Sequence, residues 1–264
     1  MKPARRVVWA LLVVMVLSAG AYATPQYQLI LRNPMPAATG QIWTTGMSAY
    51  ETCYIGPVTL EVRKLNPNTG LYDFLGYQRT LCVDILGTIT ANCTWYADVV
   101  SGVPNCVLGA DQAEKSANWD RVVWMAQKNP GWTVTSGTDP VPFNAADNAG
   151  IQLAVWEVMR DGSNWDLNAG NFKAKNFSNS LIPTSAYGFF TASAGFVLGY
   201  GMNHGYFQAT NWDQNGNKLS GYGQDQLFFI PEYSIPPVVP EFPTAVLGPL
   251  GLLAFGALKR RFAK

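Results

Sequence analysis

The stretch Gly56–Leu86 limits the possible folds of this chain more than any other. Its first part, GPVTLEVRKL, sets Val58, Leu60 and Val62 on one face of a strand. NPNTG follows, a turn by composition. LYDFLGYQRTLCVDIL then returns as a second strand-like run. Two such runs around a short Asn- and Gly-bearing break predict an antiparallel hairpin. Two helical stretches come later. NWDRVVWMAQKNPG (118–131) has Asn118 as a cap and Pro130-Gly131 as a stop. PFNAADNAGIQLAVWEVMRDG (142–162) has Asn144 or Asp147 near its start. It sets Ile151, Val155, Val158 and Met159 on one face and ends at Gly162. SGYGQDQLFFIPEY (220–233) closes as a strand. Strands, a two-helix insertion, then strands predict a mainly β, α+β chain. The expected core is a β-sandwich or barrel-like body carrying two helices.

Both ends read as addresses rather than as fold. Lys2, Arg5 and Arg6 precede the apolar run Val7–Leu17, and Ala21-Tyr22-Ala23 is an A-x-A cleavage pattern. Residues 1–23 are therefore a signal peptide, and the mature chain enters a compartment that permits disulfides. One β-rich domain, 24–232, follows; the Pro-rich linker 233–239 and a C-terminal segment, 240–264, complete the chain. That last segment begins Pro240-Glu241-Phe242-Pro243-Thr244, continues with an apolar run Ala245–Leu258 and ends on Lys259, Arg260 and Arg261. The run is shorter than the roughly 20 residues of a spanning helix, and its basic end would stay cytoplasmic. These three parts in order resemble the PEP-CTERM and PEF-CTERM sorting signals read by exosortases and archaeosortases. Phe242 stands where the bacterial motif has its last Pro, as in the archaeal variant. The resemblance implies a sorting protease as partner and membrane attachment, at least transient, through the C-terminus.

The net charge is +1 and only 13% of residues are charged, so nothing in the chain attracts a nucleic acid. A single histidine and scattered acids make no metal site, and no cofactor motif is present. His204 beside Cys82 would make a hydrolase dyad, but a loop histidine is the simpler reading of GMNHGY.

The chemistry-bearing residues are the four cysteines and one glutamine. Four cysteines allow three pairings. Cys93 and Cys106 flank TWYADVVSGVPN, read as a short turn-rich loop, so a Cys93–Cys106 disulfide is expected. It would contribute roughly 3 kcal/mol in the loop-entropy model. Cys82 differs: it sits inside a strand, with Asp84 two residues on and on the same face. A Cys82–Cys53 disulfide is the competing use of that thiol. Gln152 lies among Ile151, Leu153, Ala154 and Trp156, where an amide must find partners or cost stability.

Leu81-Cys82-Val83-Asp84 followed by Ile151-Gln152-Leu153-Ala154-Val155-Trp156-Glu157 resembles the thioester domains of bacterial surface proteins, the Cys–Gln TQxA type. It is similar, too, to related forms in exported PEP-CTERM proteins. The element order matches from Gly56 to Tyr233, but only these two motifs are specific. Ile151 departs from the pattern, since many members have Thr there. The resemblance implies an internal thioester between the Cys82 sulfur and the Gln152 side-chain carbonyl, formed with loss of ammonia. Such a bond acylates an amine or hydroxyl on a surface or matrix component once per molecule, so the chain is not a turnover enzyme. Trp156, one turn after Gln152, and Trp95 or Tyr96 are the expected shield against water. Asp84 would orient the site or accept a backbone hydrogen bond. The implied protein is a surface-anchored adhesin or matrix protein. The alternative is a non-reactive structural or glycan-binding matrix protein held by disulfides.

Overall fold

The expected hairpin forms. Strands β4 (Val58–Leu65) and β5 (Tyr72–Cys82) pair antiparallel, from Val58 opposite Thr80 to Leu65 opposite Tyr72. Asn66 closes the turn between them: its N–H donates to the Leu71 carbonyl and its side-chain oxygen accepts the Asn68 N–H at 2.9 Å. Gly70 there has φ +70°, a conformation open to glycine.

The computed structural model describes residues 25–31, 38–87, 92–100, 102–128, 132–133, 144–198, 204–210 and 225–229. The expected signal segment 1–23, linker 233–239 and sorting segment 240–264, with Pro240, Glu241, Phe242, Pro243 and Thr244, lie outside the described residues. No helix among the described residues is long and apolar enough to cross a membrane.

Around the hairpin stand β1 (Tyr27–Leu31), β6 (Thr94–Val100), β7 (Trp132–Thr133), β9 (His204–Thr210) and β10 (Gln226–Phe229). The strand order is β10-β9-β6-β1-β4-β5-β7, and β10 also pairs with β5. The sheet therefore closes on itself through six strands, with every pairing antiparallel. The closing pairs are Gln226 with Cys82 and Leu227 with Leu81. A second sheet, β2 (Thr39–Thr44) between β3 (Glu51–Tyr54) and β8 (Phe172–Lys175), turns Ile42 and Ala174 inward. The mainly β, α+β reading with a barrel-like body is what the structure contains.

Among the described residues three helices, not two, accompany the sheets. Helix α1 (Gln112–Lys128) starts six residues before Asn118. Its first turn is closed by Asp111, whose carboxylate accepts the Glu114 N–H at 2.9 Å, while Glu114 accepts the Ala110 N–H at 2.6 Å. Asn118 is buried mid-helix and donates to the Leu108 carbonyl. Helix α2 (Ala145–Asp161) keeps the expected cap, with Asn144 accepting the Asp147 N–H, and ends at Gly162. Helix α3 (Ile182–Ala192) was not expected. It opens with Pro183 in its first turn and buries Ile182, Ala186 and Phe190 at fourfold spacing.

Helix α2 does not present one apolar face; it is buried on every side from Ala149 to Met159. A helix apolar all round belongs in a core. Gly150 lets α3 approach: a Cβ there would stand 2.7 Å from the Ser185 hydroxyl. Arg121 of α1 ties the helices together. It donates to the Gly162 and Phe190 carbonyls at 2.9 and 2.8 Å and lies over the Phe190 ring. Those carbonyls end α2 and lie near the end of α3, where a cation is favoured.

Candidate functional site

The site forms where β5 outlasts its neighbour. Strand β4 begins at Val58, opposite Thr80, so the residues after Thr80 have no β4 partner. On the other edge Val83 donates to the Asp225 carbonyl at 3.0 Å. Backbone directions alternate along a strand, so the Cys82 N–H and C=O point to the vacated side. Gln152 fills that place. Its Oε1 accepts the Cys82 N–H at 2.9 Å and its Nε2 donates to the Cys82 carbonyl at 2.9 Å. The amide acts as one more rung of the ladder, 70 residues away in sequence, and is fully buried. A buried backbone pair without it would cost several kcal/mol.

The Cys82 thiol donates to the Asp84 carbonyl at 3.1 Å. Asp84 lies past the end of β5, not on its face as expected. Its carboxylate accepts the Leu86 N–H at 3.1 Å, which turns the chain back and sets the carbonyl that meets the sulfur. Trp156 belongs to the same buried cluster as Cys82 and packs its ring against Phe172, 6.1 Å between centroids. Burial holds the Cys82 thiol well above its ordinary range, and the Asp84 charge adds to this. The Trp156 indole N–H and a backbone hydrogen bond from Asp84 to the sulfur pull the other way. Even so, the indole nitrogen makes no hydrogen bond of normal geometry and is sealed from water.

Three further residues complete the surroundings. Cys106 donates its thiol to the Val83 carbonyl at 3.1 Å. Burial, Asp225 and Asp84 together push it up to about 12. Asp225, just before β10, accepts the Ala209 N–H at 2.7 Å and is pushed up to about 6, chiefly by burial. Tyr206 of β9 rises to about 12 by burial and the Asp225 charge. Arg160 spans the rim, donating to the Cys106 and Thr45 carbonyls. Nothing in the sequence singled out Cys106, Asp225 or Tyr206 as neighbours of Cys82. Only the β5–β10 register brings Asp225 there.

The expected Cys93–Cys106 disulfide is not formed: Cys53, Cys82, Cys93 and Cys106 are all free thiols. The reason is β6. TWYADVV is a strand, not a loop, and its seven residues separate the two cysteines by roughly 20 Å of extended chain. A Cys82–Cys53 bridge is equally absent; Cys53 lies in β3 opposite Gly40. Trp95 and Tyr96 do not shield the site. They are β6 residues paired with β1, Tyr96 against Tyr72 and Trp95 outside the cluster that holds Cys82. His204 opens β9 opposite Phe229, three positions along β10 from Gln226, the residue opposite Cys82. Among the described residues no group of three His, Cys, Asp or Glu side chains can hold a metal.

No family model and no curated protein matches this sequence. Two solved structures are similar in part. The N-terminal domain of the Streptococcus pyogenes pilus tip adhesin Cpa is 12% identical, with a TM-score of 0.36, over 76% of this chain and 100% of that one. A crystal form of the pilus-presented adhesin Cpa is 10% identical, with a TM-score of 0.29, over 76% of this chain and 66% of that one. At these scores neither overlay bears on the site.

Proposed function

We propose that this chain is an exported, surface-anchored adhesin or matrix protein whose Cys82 and Gln152 close into an internal thioester. The bond would then acylate an amine or hydroxyl on a partner. One observation carries the reading: the Gln152 carboxamide is held against Cys82 by two 2.9 Å hydrogen bonds in a site closed to water. Attack by the Cys82 sulfur on the Gln152 carbonyl carbon forms the C–S bond. The C–N bond breaks, and the thiol proton leaves with the nitrogen as ammonia. The Cys82 N–H already bonded to Oε1 polarises that carbonyl and would stabilise the oxyanion. Proximity of this kind is worth effective molarities of roughly 10⁵ M or more, which offsets the poor ionisation of a buried thiol. A surface role rests on the export pattern at residues 1–23 and the sorting pattern at 240–264. An exosortase- or archaeosortase-type protease is the processing partner this implies.

The same clasp favours a second reading, a non-reactive structural or glycan-binding matrix protein. There the amide does no more than finish the ladder beside Cys82. Intact mass separates the two. The thioester reading expects the untreated secreted chain to be lighter than its sequence mass by one ammonia. Methylamine should then restore a Gln152 methylamide and expose one more thiol, and Cys82→Ala should abolish both effects. Full sequence mass with no amine uptake leaves the structural reading in its place.

A further inference from the structure

Trp156 keeps a buried indole N–H without a hydrogen bond of normal geometry, one turn after Gln152 and in the same buried cluster as the Cys82 thiol, on which it acts. A sealed donor of this kind destabilises the fold when left unpaired. Unpaired buried donors that persist at a reactive pair point to a charge that appears only during reaction. Around the thiol most of the other polar atoms suit the neutral state. The Asp84 carbonyl accepts from S–H and has nothing to offer a sulfur anion. The Asp84 and Cys106 side chains disfavour that anion. The Cys82 N–H is already taken by the Gln152 oxygen. Beside a backbone hydrogen bond from Asp84, Trp156 is therefore the side-chain donor on the sulfur side, just as the Cys82 N–H is the donor on the oxygen side.

We propose that the Trp156 Nε1–H is the catalytic donor that carries the negative charge of the Cys82 sulfur during thioester exchange. This rests on the thioester reading above. When an amine attacks the Gln152 acyl carbon, the C–S bond breaks and its electron pair passes to Sγ. The indole N–H holds that thiolate until the proton shed by the amine reaches it, leaving a Gln152 amide and a Cys82 thiol. In the forward closure the same donor supports Sγ as it loses its proton to the departing nitrogen. The ring keeps water out, while the N–H sets how readily the sulfur leaves. This makes Trp156 a determinant of rate as well as a shield.

The test replaces Trp156 in the full-length chain with benzothienylalanine, which keeps the fused ring and lacks the N–H; Trp156→Phe is the simpler companion. Two rates are read by mass spectrometry. The first is methylamine uptake. The second is iodoacetamide alkylation of Cys82, located by peptide mapping, on chain already opened by methylamine. It is read at about pH 8, below a thiol's ordinary pKa. Losing the donor should slow both by roughly tenfold or more, the range for one hydrogen bond to a charged group. A merely structural role predicts the opposite sign for alkylation, because a loosened site exposes the thiol and speeds it. Unchanged or faster alkylation in the benzothienylalanine chain overturns the assignment. If the wild-type chain has its full mass and takes up no amine, the thioester reading fails. Alkylation of the untreated chain then decides the role of the Trp156 N–H by itself.

Discussion

At the residue scale, Gln152 is a backbone partner before it is anything else. Both of its polar atoms are spent on the backbone of Cys82, none on the thiol. Hence the two members of the pair should differ in what their loss does to stability. Cys82→Ala leaves the clasp intact and removes one sulfur, at a cost of about 1 kcal/mol. Gln152→Ala orphans a buried N–H and a buried C=O, so it should cost roughly 2–5 kcal/mol. Urea unfolding of the two variants, each in a chain freed of any thioester by methylamine or by the mutation itself, checks this ordering. Equal losses would mean that water or a neighbouring group replaces the amide. The residue types of the pair were legible in the sequence, because Cys-x-Asp in a strand and Gln in an apolar helix are both unusual. Their mode of contact was not. It depends on β4 starting two residues short of Cys82 in the β5 register, and no side chain encodes that.

At the element scale, the helices place the site. Helix α2 packs against α1, α3 and the strands, and Gly150 is where α3 leaves no room for a side chain. There an added methyl would meet the Ser185 Oγ and Cβ and the Ala186 backbone nitrogen at 2.7 to 2.9 Å. Ser185 is itself fixed, donating to Asp147 at 2.6 Å. Gly150→Ala should therefore destabilise the chain by about 1–3 kcal/mol, despite alanine's better helix propensity. A thermal or urea transition unchanged or raised in this variant would show that α3 can retreat freely. Amphipathic spacing made α2 easy to read and its caps correct. It hid the burial of the opposite side, because Glu157 looks solvent-facing on a helical wheel. Helix α1 was misplaced at its start, although the pair Asp111 and Glu114 is a capping signal. Helix α3 was hidden by its Thr, Ser, Tyr, Phe and Gly content, poor helix formers that only packing holds in place. β6 was mistaken for a loop because the Gly- and Pro-bearing tail Ser101–Asn105 coloured the reading of the strand before it.

At the scale of the whole molecule, the closed sheet and the buried helix leave carboxylates where water cannot reach them well. The alternating pattern of Val58, Leu60 and Val62 foretold a β body, but closure rests on β10 meeting β5 at Cys82 and Leu81, a pairing of distant segments that periodicity does not reveal. Closure brings Asp225 beside Asp84, and the packing of α2 seals Glu157, whose Oε1 accepts the Asp166 N–H while Oε2 has no partner. Burial pushes Glu157 from its ordinary 4.5 up to about 7, with Asp161 and Asp166 adding to it, and Asp225 from 3.8 up to about 6. Asp84 moves in the same direction. The folded state therefore keeps protons that the unfolded chain has already released. Stability from these groups is fully present below about pH 4. It falls as pH rises, and has been lost once the pH passes about 7, because the folded state binds more protons throughout that window. Allowing for partial solvent screening, the loss is on the order of 2 kcal/mol. Glu157→Gln removes the largest part without breaking the bond to Asp166, since an amide oxygen still accepts that N–H. Urea midpoints measured from pH 4.5 to 8 should decline in the wild-type chain and flatten in Glu157→Gln. The variant should be the more stable protein above pH 7 and no better near pH 4.5. A wild-type profile that stays level or rises across this window would mean that Glu157 and Asp225 ionise freely in the folded chain. Water would then reach the inner side of α2, and the dry environment the thioester requires would be missing.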